Sequence, residues 1–505
     1  MSGAYRLLAE RFARLADLEG ALAVLAWDQA VWMPKGGAEA RGRQIATLRR
    51  LQHELITAPE VGPLLDDART LASELDPWQQ ANLREMERLW RMATAVDPAL
   101  VERAAEATTR AELVWREARE KSDFALLAPH LAVVVDLERE RARQLAAALD
   151  LAPYDALIAL YQPGLRAEAI DRLFAPLERQ LPHAIDDALA RQPPALRPNG
   201  PYPKERQRAL ALDLLPRLTF DFDHGRLDES AHPFCGGTPT DIRLTTRFDE
   251  GDPVSGLMAV LHETGHALYE AGLPRAWLGQ PVGEARGIAV HESQSLALEM
   301  QLGRSPAFLS FLSRLLRQHL GDDPAFAPDN LVRLCHRVER GAIRVEADEL
   351  TYPLHVILRY RLEKALIAGE LAVDDLPAAW NEGMKELLAI VPPDDRRGVL
   401  QDIHWPLGAI GYFPCYTVGA LLAAQLTARM RRELPDLDRA LAAGECGVAV
   451  GWLRERVHAW ASFCTFEELV TRATGAPLSP HAFLSHIGER YGVRRALGEV
   501  AACTM

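Results

Sequence analysis

A mainly α-helical body carrying one small β-sheet is the fold this sequence predicts, and three observations predict it. Apolar residues three and four apart recur through long blocks rich in Ala, Leu, Arg and Glu, the period of amphipathic helices. Prolines separate or border those blocks. Alternation, the mark of half-buried strands, is confined to one stretch near residues 218–246. In chain order the first helical blocks are residues 4–26, 36–56, 78–91, 98–121 and 125–149, with Pro34, Pro59, Pro77, Pro98, Pro129 and Pro153 between them or at their edges. Residues 192–203, QPPALRPNGPYP, carry no helical period and read as a hinge. They link an N-terminal helical half, residues 1–195, to a second half, residues 196–505, and the two are expected to form one continuous domain. Residues 218–222 and 241–246 then alternate as strands of a two- or three-stranded sheet. From residue 253 helices return and continue nearly to the C-terminus.

Composition narrows the function classes. Among 505 residues, 57 Lys+Arg stand against 70 Asp+Glu, a net charge of −13. That balance argues against nucleic-acid or anionic-membrane binding, both of which need a basic surface. No apolar run approaches the ~20 residues that span a bilayer. Glu10, Asp17 and Glu19 interrupt the N-terminal stretch where a signal peptide would be continuously apolar, so a cytoplasmic location is expected. The six cysteines (Cys235, Cys335, Cys415, Cys446, Cys464 and Cys503) form no CxxC pair and read as ordinary thiols.

Chemistry concentrates at residues 262–266, His-Glu-Thr-Gly-His. Asp252 is a good helix cap, Pro253 suits the first turn, Gly272 can end the helix, and Val254, Leu257, Met258, Leu261 and Leu268 supply an apolar face. On that helix His262 and His266 stand one turn apart on one face and can share a metal ion. A hydrolytic zinc site takes three protein ligands and leaves a position for water. Glu270, Glu284, Glu292 and Glu299 are candidates for the third. Residues 284–302 read as a second helix, and Glu292, 26 residues after His266, fits an antiparallel return. His291 is an alternative, pointing about 100° away from Glu292. Glu270 suits a supporting role. Glu263 projects beside the two histidines and faces the water, as a general base would.

Further short strings appear in order: LAWDQ at 25–29 with Met33 and Pro34, HPF at 232–234, DIRLT at 241–245, HESQS at 291–295, IRVEADELTY at 343–352, GVLQDIHW at 398–405, and GYFP at 411–414 with Tyr416. Together with the HExxH segment they make the chain resemble, over nearly its whole length, the carboxypeptidase Taq family of metallopeptidases. Leu296 departs from the Arg that often follows HESQS and is expected to alter local packing. The resemblance implies a cowrie-like helical body split by a deep groove, residues 1–195 forming one wall. It also implies a homodimer that removes C-terminal residues from peptides with broad specificity, C-terminal Pro excepted. His262, His266 and Glu292 would bind Zn2+, which Co2+ or Mn2+ can replace in such a site. Glu263 would be the base.

Exopeptidase action also needs a fixed cation for the terminal carboxylate, and the guanidinium fork is suited to it. Arg344 is the first choice, placed on a helix in the IRVEADELTY segment. Its alternative role is a scaffold pair with Glu346 or Asp348. His404 and Tyr412 are candidate donors to the developing oxyanion. Gln401 and Tyr416 are candidate substrate-binding groups, Gln401 also as a support for His404. His232 and Asp241 are placed in the site walls, Arg243 is read as structural, holding the short strand near the groove, and His336 and His355 are set aside. Two competing readings share the metal motif: an oligoendopeptidase or dipeptidase, and a helical scaffold with a vestigial metal site.

Overall fold

The computed structural model describes residues 3–497, so Cys503 lies outside the described residues. Twenty α-helices occur among them, and the five expected blocks are the helices Gly3–Val31, Ala38–Ile56, Pro77–Ala95, Pro98–Lys121 and Phe124–Leu149. Local chemistry sets their starts. The Asp76, Asp97 and Asp123 carboxylates accept from the exposed N–H groups of the first turns, and Pro77 and Pro98 follow where no N–H is required. Pro129 differs from expectation. It stands inside the Phe124–Leu149 helix, near enough to the start that its missing N–H removes a single backbone bond.

The sheet has three strands, β1 (Gly225–Glu229), β2 (Phe234–Thr238) and β3 (Asp241–Thr246), in the order β1-β3-β2. β1 runs parallel to β3 and β2 antiparallel to it. Residues 218–222 are not a strand. The helix Lys204–Arg217 reaches them, the Leu218 and Phe220 N–H groups donate back to its last carbonyls, and Thr219 takes a left-handed φ of 68°. Leu218 and Phe220 alternate because one plugs the main core and the other packs on the sheet. β1 reads as polar because Arg226 and Asp228 pair along their own strand, leaving Leu227 to the interior.

One apolar core runs from Val96 to Leu497 and joins both halves. A buried ion pair also joins them, Arg286 donating to Glu85 at 2.8 Å. Residues 192–203 hold no helix and are strapped down, Leu196 to the Asn330 side chain and Asn199 to Asp323. A small third core lies between the sheet and the back of the helix Pro253–Ala271, where Leu244 meets Val260 and Ala267. The sheet therefore buttresses the helix that carries the HExxH segment. Trp27 braces the sheet in turn. Its ring lies 4.9 Å from the Arg226 guanidinium and 4.3 Å from that of Arg243, an attraction of the quadrupole for a cation. No helix among the described residues is long and apolar enough to cross a membrane.

Candidate active site

Asp252 caps the helix Pro253–Ala271 and Gly272 ends it, as the sequence predicts. The second helix is shorter than expected. It starts at Ile288, after Gly287, and at Ala297 widens into a π-helical coil that lasts to Gly303. Glu284 thus precedes the helix. Two glycines let the backbones touch. A Cβ on Gly265 would lie 2.4 Å from the Gln294 carbonyl oxygen and from the Ser295 Cα. One on Gly419, in the helix Pro414–Glu433, would lie 2.8 Å from the Glu292 Cβ. Glu292 is consequently clasped between two helices and buried.

This packing brings donor atoms of His262, His266 and Glu292 within 4.8 Å of one another. Glu292 Oε2 is 3.8 Å from His262 Nε2 and 3.5 Å from His266 Nε2. Bonds of about 2.1 Å to a tetrahedral ion put ligand atoms about 3.4 Å apart, so the three residues fit a small divalent metal. Their outer atoms are already committed. His262 Nδ1 meets Glu299 Oε2 at 3.0 Å, and Arg304 donates to the other Glu299 oxygen at 2.5 Å. His266 Nδ1 lies 2.6 Å from His291 Nδ1, and His291 Nε2 lies 2.8 Å from Glu270. If His266 offers its Nε2 lone pair to a metal, its Nδ1 proton points to His291, which then donates to Glu270. Glu299, His291 and Glu270, each a candidate third ligand by sequence position, therefore stand behind the histidines and fix their tautomers.

The three residues open on a cavity of about 1120 Å³, which Glu263, Arg344, Tyr352, Tyr412 and Tyr416 also line. Burial pushes the Glu263 carboxyl up to about 7, the nearby His262 opposing the shift. Arg344 is buried, in a single 3₁₀ turn rather than a longer helix. It pairs with neither Glu346 nor Asp348. The Asp348 carboxylate is spent on backbone N–H groups of Glu339, Leu350 and Thr351, whereas Arg344 Nε and Nη2 both donate to Asp402 Oδ1, at 3.1 and 2.8 Å. Arg359, fully buried, holds Asp402 Oδ2 at 2.7 Å. Burial opposes the Asp402 charge, but the two guanidiniums outweigh it and hold the carboxyl well below the usual range.

The family model described as carboxypeptidase Taq (M32) metallopeptidase matches residues 7–491. The chain belongs to that family. It is 39% identical over 501 residues to thermostable carboxypeptidase 1 of Thermus thermophilus, covering 97% of this chain and 98% of that one. Against carboxypeptidase 1 of Bacillus subtilis the figures are 33%, 95% and 96%. Among solved structures, metallocarboxypeptidase 1 of Trypanosoma cruzi superposes with a TM-score of 0.95 at 40% identity, covering 97% of this chain and 99% of that one. This protein is a metallocarboxypeptidase, and the endopeptidase and vestigial readings are not favoured.

Other candidate residues of this carboxypeptidase fall elsewhere. Gln401 does not line the cavity: its Oε1 accepts the Arg344 N–H at 2.8 Å and its amide donates to the carbonyls of Ala342, Arg397 and Gly398. A side chain so engaged holds the Arg344 backbone from behind the cavity wall. His404 also stands behind the lining, its Nε2 3.3 Å from the Tyr416 hydroxyl, and burial lowers its pKa to about 4, leaving a neutral imidazole. His232 and Asp241 are absent from the lining, which takes Pro233, Phe234 and Cys235 from that region. Arg243 ties Asp241 to Trp27. Leu296 does more than pack, since it faces the cavity beside Glu292. Asp402, which joins the two buried arginines, is the residue of this site that sequence reasoning misses. Its one signal is its place in GVLQDIHW, an acid between the candidates Gln401 and His404.

Proposed function

We propose that this carboxypeptidase binds one zinc ion through His262, His266 and Glu292 and releases C-terminal residues with broad specificity, C-terminal Pro excepted. Co2+ or Mn2+ would also fit the N/N/O donor set. A divalent ion there supplies a Lewis acid that polarises the scissile carbonyl and brings a water's pKa near neutrality. The remaining work falls to side chains. Glu263 takes the water's proton and returns it to the leaving amine. The Tyr412 hydroxyl, which burial keeps protonated, donates to the carbonyl oxygen as it gains charge. Tyr416 lines the wall beside it and keeps His404 behind. Arg344 binds the terminal carboxylate. With Nε and Nη2 turned to Asp402, its Nη1 has, among the described residues, only the Tyr352 hydroxyl, at 3.5 Å, and remains available to a carboxylate.

The observation that carries this reading is one cavity shared by the convergent His/His/Glu donors and a buried, pre-oriented arginine. The test uses matched peptides with a free or an amidated C-terminus. The free acids are expected to be shortened one residue at a time and the amides to survive. Internal cleavage of both would favour an endopeptidase. A single peptidase domain with residues 1–195 as one groove wall, a homodimer and a cytoplasmic location complete the proposal, and light scattering tests the dimer.

A further inference from the structure

Glu363 takes no part in the reaction as described, yet three elements converge on it. It lies wholly buried on the helix Tyr352–Ala368. Oε2 accepts from the Tyr154 hydroxyl at 2.7 Å and from the Gly411 N–H at 2.9 Å. Oε1 accepts from the Trp405 indole at 2.9 Å. Burying an acid is costly unless its partners are well placed, and here they are two neutral side chains and one main-chain N–H.

The main-chain partner is the informative one. Gly411 has a φ of +91°, and a Cβ there would meet the backbone of Leu157 and Ile158 at 2.9 Å. The chain at Gly411 is thus pressed against the helix Pro153–Tyr161 on one side and hung from Glu363 on another. Tyr412 follows at once, its ring edge-on to Tyr161 at 5.1 Å and 5.3 Å from Tyr416. Tyr412 lines the cavity, whereas Glu363 does not.

We propose that Glu363 is a positioning residue. By accepting the Gly411 N–H it fixes the backbone from which Tyr412 presents its hydroxyl to the carbonyl oxygen of the scissile bond. This rests on the reading of Tyr412 as the oxyanion donor. A merely structural Glu363 would affect stability through Tyr154 and Trp405 without favouring the transition state.

The test is a double-mutant cycle on the metal-loaded enzyme, with Glu363→Asp, Tyr412→Phe and the pair. The shorter Asp keeps the charge but falls short of Gly411 and so loosens the anchor, whereas a Gln could turn its NH2 to the Trp405 indole and keep its oxygen on the Gly411 N–H. We expect kcat to fall about 10-fold, since small misplacements of a catalytic group cost up to about 100-fold, while KM and metal content stay near native. In the Tyr412→Phe background the same change should alter kcat by no more than about twofold, because the group being positioned has gone. Tyr154→Phe, which leaves the Gly411 bond intact, should lower Tm and leave kcat within about twofold. Where Glu363→Asp does not accumulate, Glu363→Met fills the space without a carboxylate for the Gly411 N–H and carries the same expectations. Native kcat in Glu363→Asp, equal losses in both backgrounds, or an equal loss in Tyr154→Phe each overturns the proposal. Native turnover in Tyr412→Phe alone overturns the reading of Tyr412, a result visible without any change at Glu363, and the proposal falls with it.

Discussion

The metal end of the cavity is held by regular helices, the Arg344 end by irregular chain. His262, His266 and Glu292 owe their convergence to helical period and to two close helix contacts, at Gly265 and Gly419. Arg344, Asp402 and Tyr412 lie in turns and loops, fixed by side chains that reach backbone: Gln401 on Arg344, Glu363 on Gly411. The helical end is therefore rigid by packing and tolerates no added volume. The loop end is rigid by polar bonds and tolerates no lost donor or acceptor. Substitutions of the two kinds should separate the two ends.

The largest effect is expected at the metal end. Glu292→Ala leaves two protein ligands and should lose both metal and activity, whereas Glu263→Gln should keep its metal while kcat falls by about 10²–10⁴. Metal analysis beside kcat measures both. A Glu292→Ala protein with full metal would shift the assignment toward His291 or Glu284.

At the loop end, Asp402→Asn removes the charge that two buried arginines share, at a cost of about 3–5 kcal/mol near neutrality. The sign of its pH dependence follows from the depressed Asp402 carboxyl. That group contributes stability above the unfolded pKa of about 4 and loses it as pH falls from there, so native and Asp402→Asn unfolding curves should draw together in acid. Curves separated by a constant amount would mean that the charge is not the source of the difference.

Smaller effects test the outer partners and the packing. Glu299→Gln leaves the three ligands in place but weakens the hold on His262, which should cost about 10–100-fold in metal affinity by chelator competition. Gly265→Ala forces a methyl against Ser295 and should destabilise by about 1–3 kcal/mol, a loss read from denaturant midpoints. An unchanged midpoint would show that the helices can part freely.

The same contrast governs what is legible in the sequence. The metal helix is legible because capping, period and ligand spacing are all local. Glu292 is legible because its spacing of 26 residues from His266 leaves room for a connection and an antiparallel return, here residues 272–287. The π-helical widening and the Glu299 contact are not, since they depend on how the second helix packs. The loop end is legible only as strings of residues. Arg344 lies in a 3₁₀ turn and finds its partner 58 positions away, and no local pattern encodes that pairing. Gln401 and His404 stand out as polar residues near the right place, but their bonds turn inward. Residues 218–222 alternate like a strand because a helix end needs two apolar anchors there.

The most direct test of the account is the efficiency of native and Arg344→Ala enzyme on matched free-acid and amidated peptides. Truncating one partner of a desolvated charged pair costs about 2–5 kcal/mol, so kcat/KM for free acids should fall about 30-fold to several-thousand-fold with metal content unchanged. The amides, already poor, should lose little more, and Arg344→Lys should recover only part of the loss because an ammonium cannot hold Asp402 along one edge and present a further N–H to the substrate in fixed geometry. Equal losses for acids and amides would contradict the account and leave Arg344 as scaffold.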